Sequence, residues 1–199
     1  MKQTNQKIMS LVIAAMLCAV GIIIPMFMPI KVIIEPMSFT LASHVAIFLA
    51  LFISPAVAVA VTLGTTIGFF IAGFPLVIVL RALSHLGFVI VGFLILKKFP
   101  NVLQRPASNI AFCSVLAVVH GICEVIVVML FYFGGMLNES FYNNGFAFSV
   151  LLLVGVGTIA HSCVDYAVAL VVWKPVNRML HIPISAPMSP LQKNAPLQS

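Results

Sequence analysis

Charge is what this chain has least of. Only 7% of its 199 residues are charged, against roughly 25% in ordinary soluble domains, and the acids reduce to Glu35, Glu124, Glu139 and Asp165. Too little polar surface remains to clothe a water-facing body, which excludes a soluble globular domain. There is also no CxxC spacing: Cys18, Cys113, Cys123 and Cys163 sit singly inside apolar runs, so they read as packing residues rather than a disulfide or zinc framework. They leave the redox compartment undetermined. No Walker A phosphate loop, low-complexity tract or inverted repeat is present. The chain is too short for a nucleotide-binding or extracellular domain beside its apolar segments, so an active transport function would take its energy from another protein. What is there in quantity is hydrocarbon, with 62% hydrophobic residues and a mean hydropathy of +1.21. These values describe an integral membrane protein. The net charge of +6 has a simpler origin in membrane orientation than in nucleic-acid binding.

Proline and charge divide the chain into apolar segments at 8–28, 40–73, 76–96, 107–133 and 149–173. A span needs about 20 residues. The second segment is too long for one helix and contains Ser54-Pro55, where proline lacks a donor and disfavours helix in the residue before it. Two short spans there place Lys2, Lys7, Lys97, Lys98, Arg105, Lys174, Arg178 and Lys193 on one side, with only Lys31 opposite. By the positive-inside tendency that side is the cytoplasm. The expectation is therefore an all-α membrane protein of six transmembrane helices with cytoplasmic N- and C-termini. Residues 1–180 form one membrane domain, with the first helix retained rather than cleaved, and 181–199 a mobile cytoplasmic tail. External connections fall at Pro29–Phe39, Gly73-Phe74-Pro75 and Gly134–Phe148.

Ionisable groups inside spans cost about 2.5–3.5 kcal/mol each by insertion scales and generally line cavities. Three pairs occur here at i, i+4: Arg81 and His85 on helix four, His120 and Glu124 on helix five, His161 and Asp165 on helix six. That spacing puts both members on one helix face. One such histidine is ordinarily a hydrogen-bonded packing residue, but three pairs together point to a shared pocket, since apolar residues would pack at lower cost. His44, near the outer end of helix two, can join it. Arg81, His85, His120, Glu124, His161 and His44 are the candidate substrate-binding residues. Asp165, deeper, reads as a structural partner for His161 or for backbone. Aromatics gather near the external ends, among them Phe39, Phe69, Phe74 and Phe141, most as lipid-facing or core residues and a minority as ligand-stacking ones. Trp173 reads as an interfacial anchor.

Small residues mark close approaches. Ala15 and Ala19 lie one turn apart on helix one, Gly64 and Gly68 form a track in helix three, and Gly155 with Gly157 opens a notch in helix six. With the stretch SFTLASHVAIFLALFISP (38–55) and the glycine-rich third helix after it, the chain resembles, over about 1–180, the substrate-binding S components of energy-coupling-factor (ECF) vitamin transporters. The resemblance implies a multi-pass protein of the bacterial cytoplasmic membrane, not an enzyme. It further implies a vitamin pocket on the extracellular side formed by the first loop and helices four to six. Ala15 and Ala19 would dock a transmembrane coupling subunit, and two partner ATPases would use the ATP. It implies no cofactor on this chain.

Within that family, arginine offers a carboxylate a two-pronged fork, while histidine and glutamate can bond ring nitrogens or a hydroxymethyl group. Niacin, pyridoxine or hydroxymethylpyrimidine fits best, with pantothenate next. The HxxxE and HxxxD spacings also suit a divalent metal such as zinc, nickel or cobalt, so a metal transporter or an intramembrane hydrolase is the reading from another class. Arg81 beside a cation weighs against it, and no metal ligand is assigned.

Overall fold

The computed structural model describes residues 2–34, 37–179 and 184–188. Helix α1, Lys2–Phe27, leads into a two-stranded antiparallel hairpin, β1 Lys31–Ile34 and β2 Met37–Thr40, paired Lys31 to Thr40 and Val32 to Phe39. The fold is helical as expected, with this hairpin inserted in the first long connection, where Leu41 N–H extends it by donating to Ile30 O at 3.1 Å.

The 40–73 segment breaks at Ser54, as the serine-proline pair requires. Ser54 is extended, its Oγ accepts from Val57 N–H at 3.2 Å, and Pro55 takes the first helical position, where no N–H is needed. The break yields α2, Val45–Ile53, and α3, Pro55–Ile71. At 1.5 Å per residue α2 is only about 14 Å long, and all nine of its residues are buried. It is a helix enclosed by protein. That explains why its sequence is apolar on every side with no amphipathic stripe.

After the turn at Gly73, whose φ of +77° suits glycine, come α4, Leu76–Ser84, and α5, Leu86–Lys98, separated only by a tightened turn at His85. Helix α6, Pro106–Phe133, follows a short 3₁₀ turn, and α7, Glu139–Asn143, sits in the connection that follows it. A π-helical run, Ala147–Val156, passes directly into α8, Gly157–Met179. Among the described residues four helical stretches are long and apolar enough to cross a membrane: Asn5–Phe27, Leu76–Lys98, Pro106–Phe133 and Ala147–Arg178.

Glycine sets the α1–α3 contact. A Cβ on Gly64 would lie 2.6 Å from Cys18 Sγ, and one on Gly68 would run into the Ile22 side chain. The inner face of α1 is thus Ala14, Cys18 and Gly21, while Ala15 and Ala19 are exposed. All four cysteines are free and half-buried.

One expectation for the C-terminal end is revised. Trp173 is no interfacial anchor: it is fully buried against Phe52, and its Nε1–H donates to Ala186 O at 3.1 Å. Residues 184–188, within the segment read as a mobile tail, cap α2, with Ser185 N–H donating to Ile53 O at 3.0 Å and Ala186 N–H to Phe52 O at 3.1 Å. Those carbonyls are orphans of a helix end, and the tail satisfies them. The other tail residues, 181–183 and 189–199, lie outside the described ones.

Candidate functional site

The three i, i+4 pairs converge. Arg81 and His85 come from the end of α4, His120 and Glu124 from α6, His161 and Asp165 from α8, and His44 from the turn that enters α2. The His44 ring is the hub, with centroids 4.9 Å from His85, 4.6 Å from His120 and 5.1 Å from His161.

Glu124 is 2% exposed and collects partners on both oxygens. Arg81 Nη2 donates to Oε2 at 2.7 Å, as does Thr158 Oγ1 at 2.7 Å. The other oxygen, Oε1, faces His120 Nε2 at 3.4 Å and His85 Nε2 at 3.6 Å. A buried carboxylate without such partners would cost several kcal/mol, so Glu124 depends on Arg81 and Thr158 for its place in the wall.

Asp165 is fully buried and acts as the structural partner read from the sequence, though mainly for the loop. It accepts from Ala42 N–H at 2.7 Å, His44 N–H at 2.9 Å and His44 Nδ1–H at 3.0 Å. His161 Nε2 lies 3.3 Å away, bonded to Ser43 Oγ at 3.0 Å. Ala42 has φ of +66°, a left-handed conformation disfavoured for alanine, which these carboxylate bonds hold in place. α8 thereby fixes the turn that delivers His44.

Above this cluster opens a cavity of about 320 Å³, at the small end of the range for small-molecule sites. Arg81, His85, Glu124, His161 and His44 line it; His120 does not. His120 is fully buried, packed on Phe88 with Nδ1 3.3 Å from Ser162 Oγ. It belongs to the wall behind the cavity rather than to its surface.

Comparison with known proteins settles the family. The niacin transporter NiaX of Lactococcus lactis subsp. cremoris is 41% identical over 171 residues, covering 85% of this chain and 76% of that protein. The chain belongs to the S components of ECF vitamin transporters. No protein-family model and no solved structure matches it. This S component is thus a multi-pass membrane protein of vitamin uptake, and its relative is a transporter.

The sequence reading of the S component missed several residues that line the cavity: Ser43, Thr65, Asn138 and Thr158. Thr158 had a signal, because Thr158, His161, Ser162 and Asp165 recur at the spacing of one helical face. Phe39 was singled out only as one aromatic among many. Its ring stands 5.4 Å from His161 and enters the notch predicted at Gly157, where a Cβ would lie 2.6 Å from Phe39 Cζ. Gly157→Ala is therefore expected to push the Phe39 ring into the cavity and weaken ligand binding about tenfold, read by calorimetry on purified protein. Unchanged affinity would show that the hairpin yields without narrowing the site.

Proposed function

We propose that this S component binds a small heteroaromatic vitamin, niacin ahead of pyridoxine and hydroxymethylpyrimidine, for ATP-driven uptake. The observation that carries the reading is the cavity itself, where a guanidinium fixed by Glu124 stands beside imidazoles and the Phe39 ring. Arg81 has five N–H donors on a planar fork, and Glu124 takes Nη2, so the group can address a ligand carboxylate without leaving its partner. His85 and His161 can donate an N–H to a ring nitrogen, His44 Nε2 and Glu124 can accept from a ligand hydroxyl, and His120 supports them from behind. The relative's name, niacin transporter, favours the same substrate.

The chain crosses the bacterial cytoplasmic membrane six times, with α2 and α3 together supplying the second and third passes and both termini in the cytoplasm. Ala15 and Ala19 dock the transmembrane coupling subunit, and two ATPase subunits complete the transporter. Supporting this, both alanines lie on the face of α1 turned away from the rest of the chain, flanked by Leu11 and Met16, 71% and 64% exposed.

Calorimetry on the purified chain with nicotinate, pyridoxine, hydroxymethylpyrimidine and pantothenate tests the substrate. Nicotinate is expected to bind tightest. Tight pantothenate binding with silence from the three ring compounds would overturn the reading, since pantothenate offers a carboxylate but no ring to lie against the imidazoles.

A further inference from the structure

His85, at the cavity wall, and His120, behind it, are arranged in a way that a vitamin in the cavity does not by itself explain. His85 is 6% exposed, yet neither its Nδ1 nor its Nε2 has a hydrogen-bond partner among the described residues, and the same holds for Nε2 of the fully buried His120. Buried imidazole nitrogens are ordinarily satisfied. These point instead at Glu124 Oε1, at 3.6 Å from His85 Nε2 and 3.4 Å from His120 Nε2. A tetrahedral zinc ion, with bonds of about 2.0–2.1 Å, holds its ligand atoms about 3.3–3.4 Å apart.

We propose that His44, His85, His120 and Glu124 form a site for one divalent transition cation of the zinc class. One ligand atom from each of the four lies within 4.8 Å of every other, so binding draws no pair inward by more than about 1.4 Å to reach the tetrahedral edge. The set of three imidazoles and one carboxylate is the donor chemistry of zinc and cobalt sites.

Two neighbours prepare the ligands as metal-binding histidines are usually prepared. Asp165 accepts from His44 Nδ1–H at 3.0 Å, which leaves His44 Nε2 as the ligating atom. Ser162 Oγ holds His120 Nδ1 at 3.3 Å, which again frees Nε2. The other cluster of three, His44, His161 and Asp165, lacks this character, because His161 Nε2 already bonds Ser43 Oγ at 3.0 Å.

Arg81 is the electrostatic objection, and the geometry answers it. Its guanidinium meets Glu124 on Oε2, the oxygen turned away from the histidines, so the carboxylate lies between the two cations. With neutral imidazoles, Arg81 is outnumbered by two buried carboxylates, Glu124 and Asp165, among the described residues of the cluster. A divalent ion offsets that surplus negative charge. The site stands on this geometry whichever small molecule the cavity takes.

Cobalt titration of the purified full chain, stripped with chelator and free of vitamin, tests the proposal. One equivalent of Co²⁺ should produce the strong visible bands of a tetrahedral centre, abolished in His85→Ala and His120→Ala and displaced by Zn²⁺. Ser162→Ala removes no ligand but should weaken Co²⁺ binding by about 10–100-fold, with recovery in Ser162→Thr. A weak octahedral spectrum, no saturable binding in the unmodified chain, or bands that persist in both histidine variants would overturn it. If either histidine variant fails to fold, the titration of the unmodified chain decides alone. Nicotinate calorimetry on the stripped protein reports separately on the vitamin site, so the failure of one reading is distinguishable from the failure of the other.

Discussion

Arg81→Ala is expected to weaken nicotinate binding at least tenfold, because a charge-assisted hydrogen bond lost from a desolvated pocket costs roughly 1.5–3 kcal/mol. A second effect acts on the protein itself. Removing the guanidinium takes a partner 2.7 Å from Glu124 Oε2 and leaves that buried carboxylate with Thr158 and its histidine neighbours. Stability should therefore fall as well, and affinity must be measured on material shown to be folded by its melting transition in detergent. Arg81→Lys separates the two effects. Lysine keeps the charge beside Glu124 but cannot reproduce the planar fork, so stability should largely return while nicotinate binding stays impaired. Full nicotinate affinity in folded Arg81→Ala protein would remove Arg81 from the site.

Replacing both Ala15 and Ala19 with tryptophan should abolish vitamin uptake by cells while leaving vitamin binding by the purified chain intact. The structure gives this split its sharpness. Packing of α1 onto α3 runs through Cys18 and Ile22 against Gly64 and Gly68, and the alanines face away from that contact. Two indoles on the outer face would block close approach by another helix without touching the cavity. Co-purification with the ATPase complex should be lost together with uptake. If binding and uptake collapse together, the alanines serve the fold of this chain. Undiminished uptake by the double variant would leave α1 as a face for lipid alone.

Much of the site was legible from spacing. Three pairs at i, i+4 on three helices announce three polar faces, and polar faces in hydrocarbon turn toward one another. The order of assembly was not legible. Arg81 pairs with Glu124 across 43 residues of chain and His44 with Asp165 across 121, and no local pattern says which helix face meets which. His120 illustrates the limit. Its spacing from Glu124 made it a lining residue by pattern, but a residue one turn along α6 can lie behind the wall rather than on it, and His120 does.

What the sequence determined by itself follows from solvation: too few charges for water, apolar runs long enough for hydrocarbon, a break where Ser54-Pro55 permits no continuous helix, and polar pairs too costly to face lipid. These are properties of a segment in its solvent, and each segment carries them alone. Only the tertiary structure decided that α2 is enclosed by protein on every side, that a hairpin sends Phe39 into the notch at Gly157, and that Trp173 is buried under residues 184–188 instead of resting at an interface. An apolar residue satisfied by lipid and one satisfied by a neighbouring helix read alike in sequence, since both avoid water equally. The difference lies in which surfaces meet, and that is settled by the packing of the whole chain.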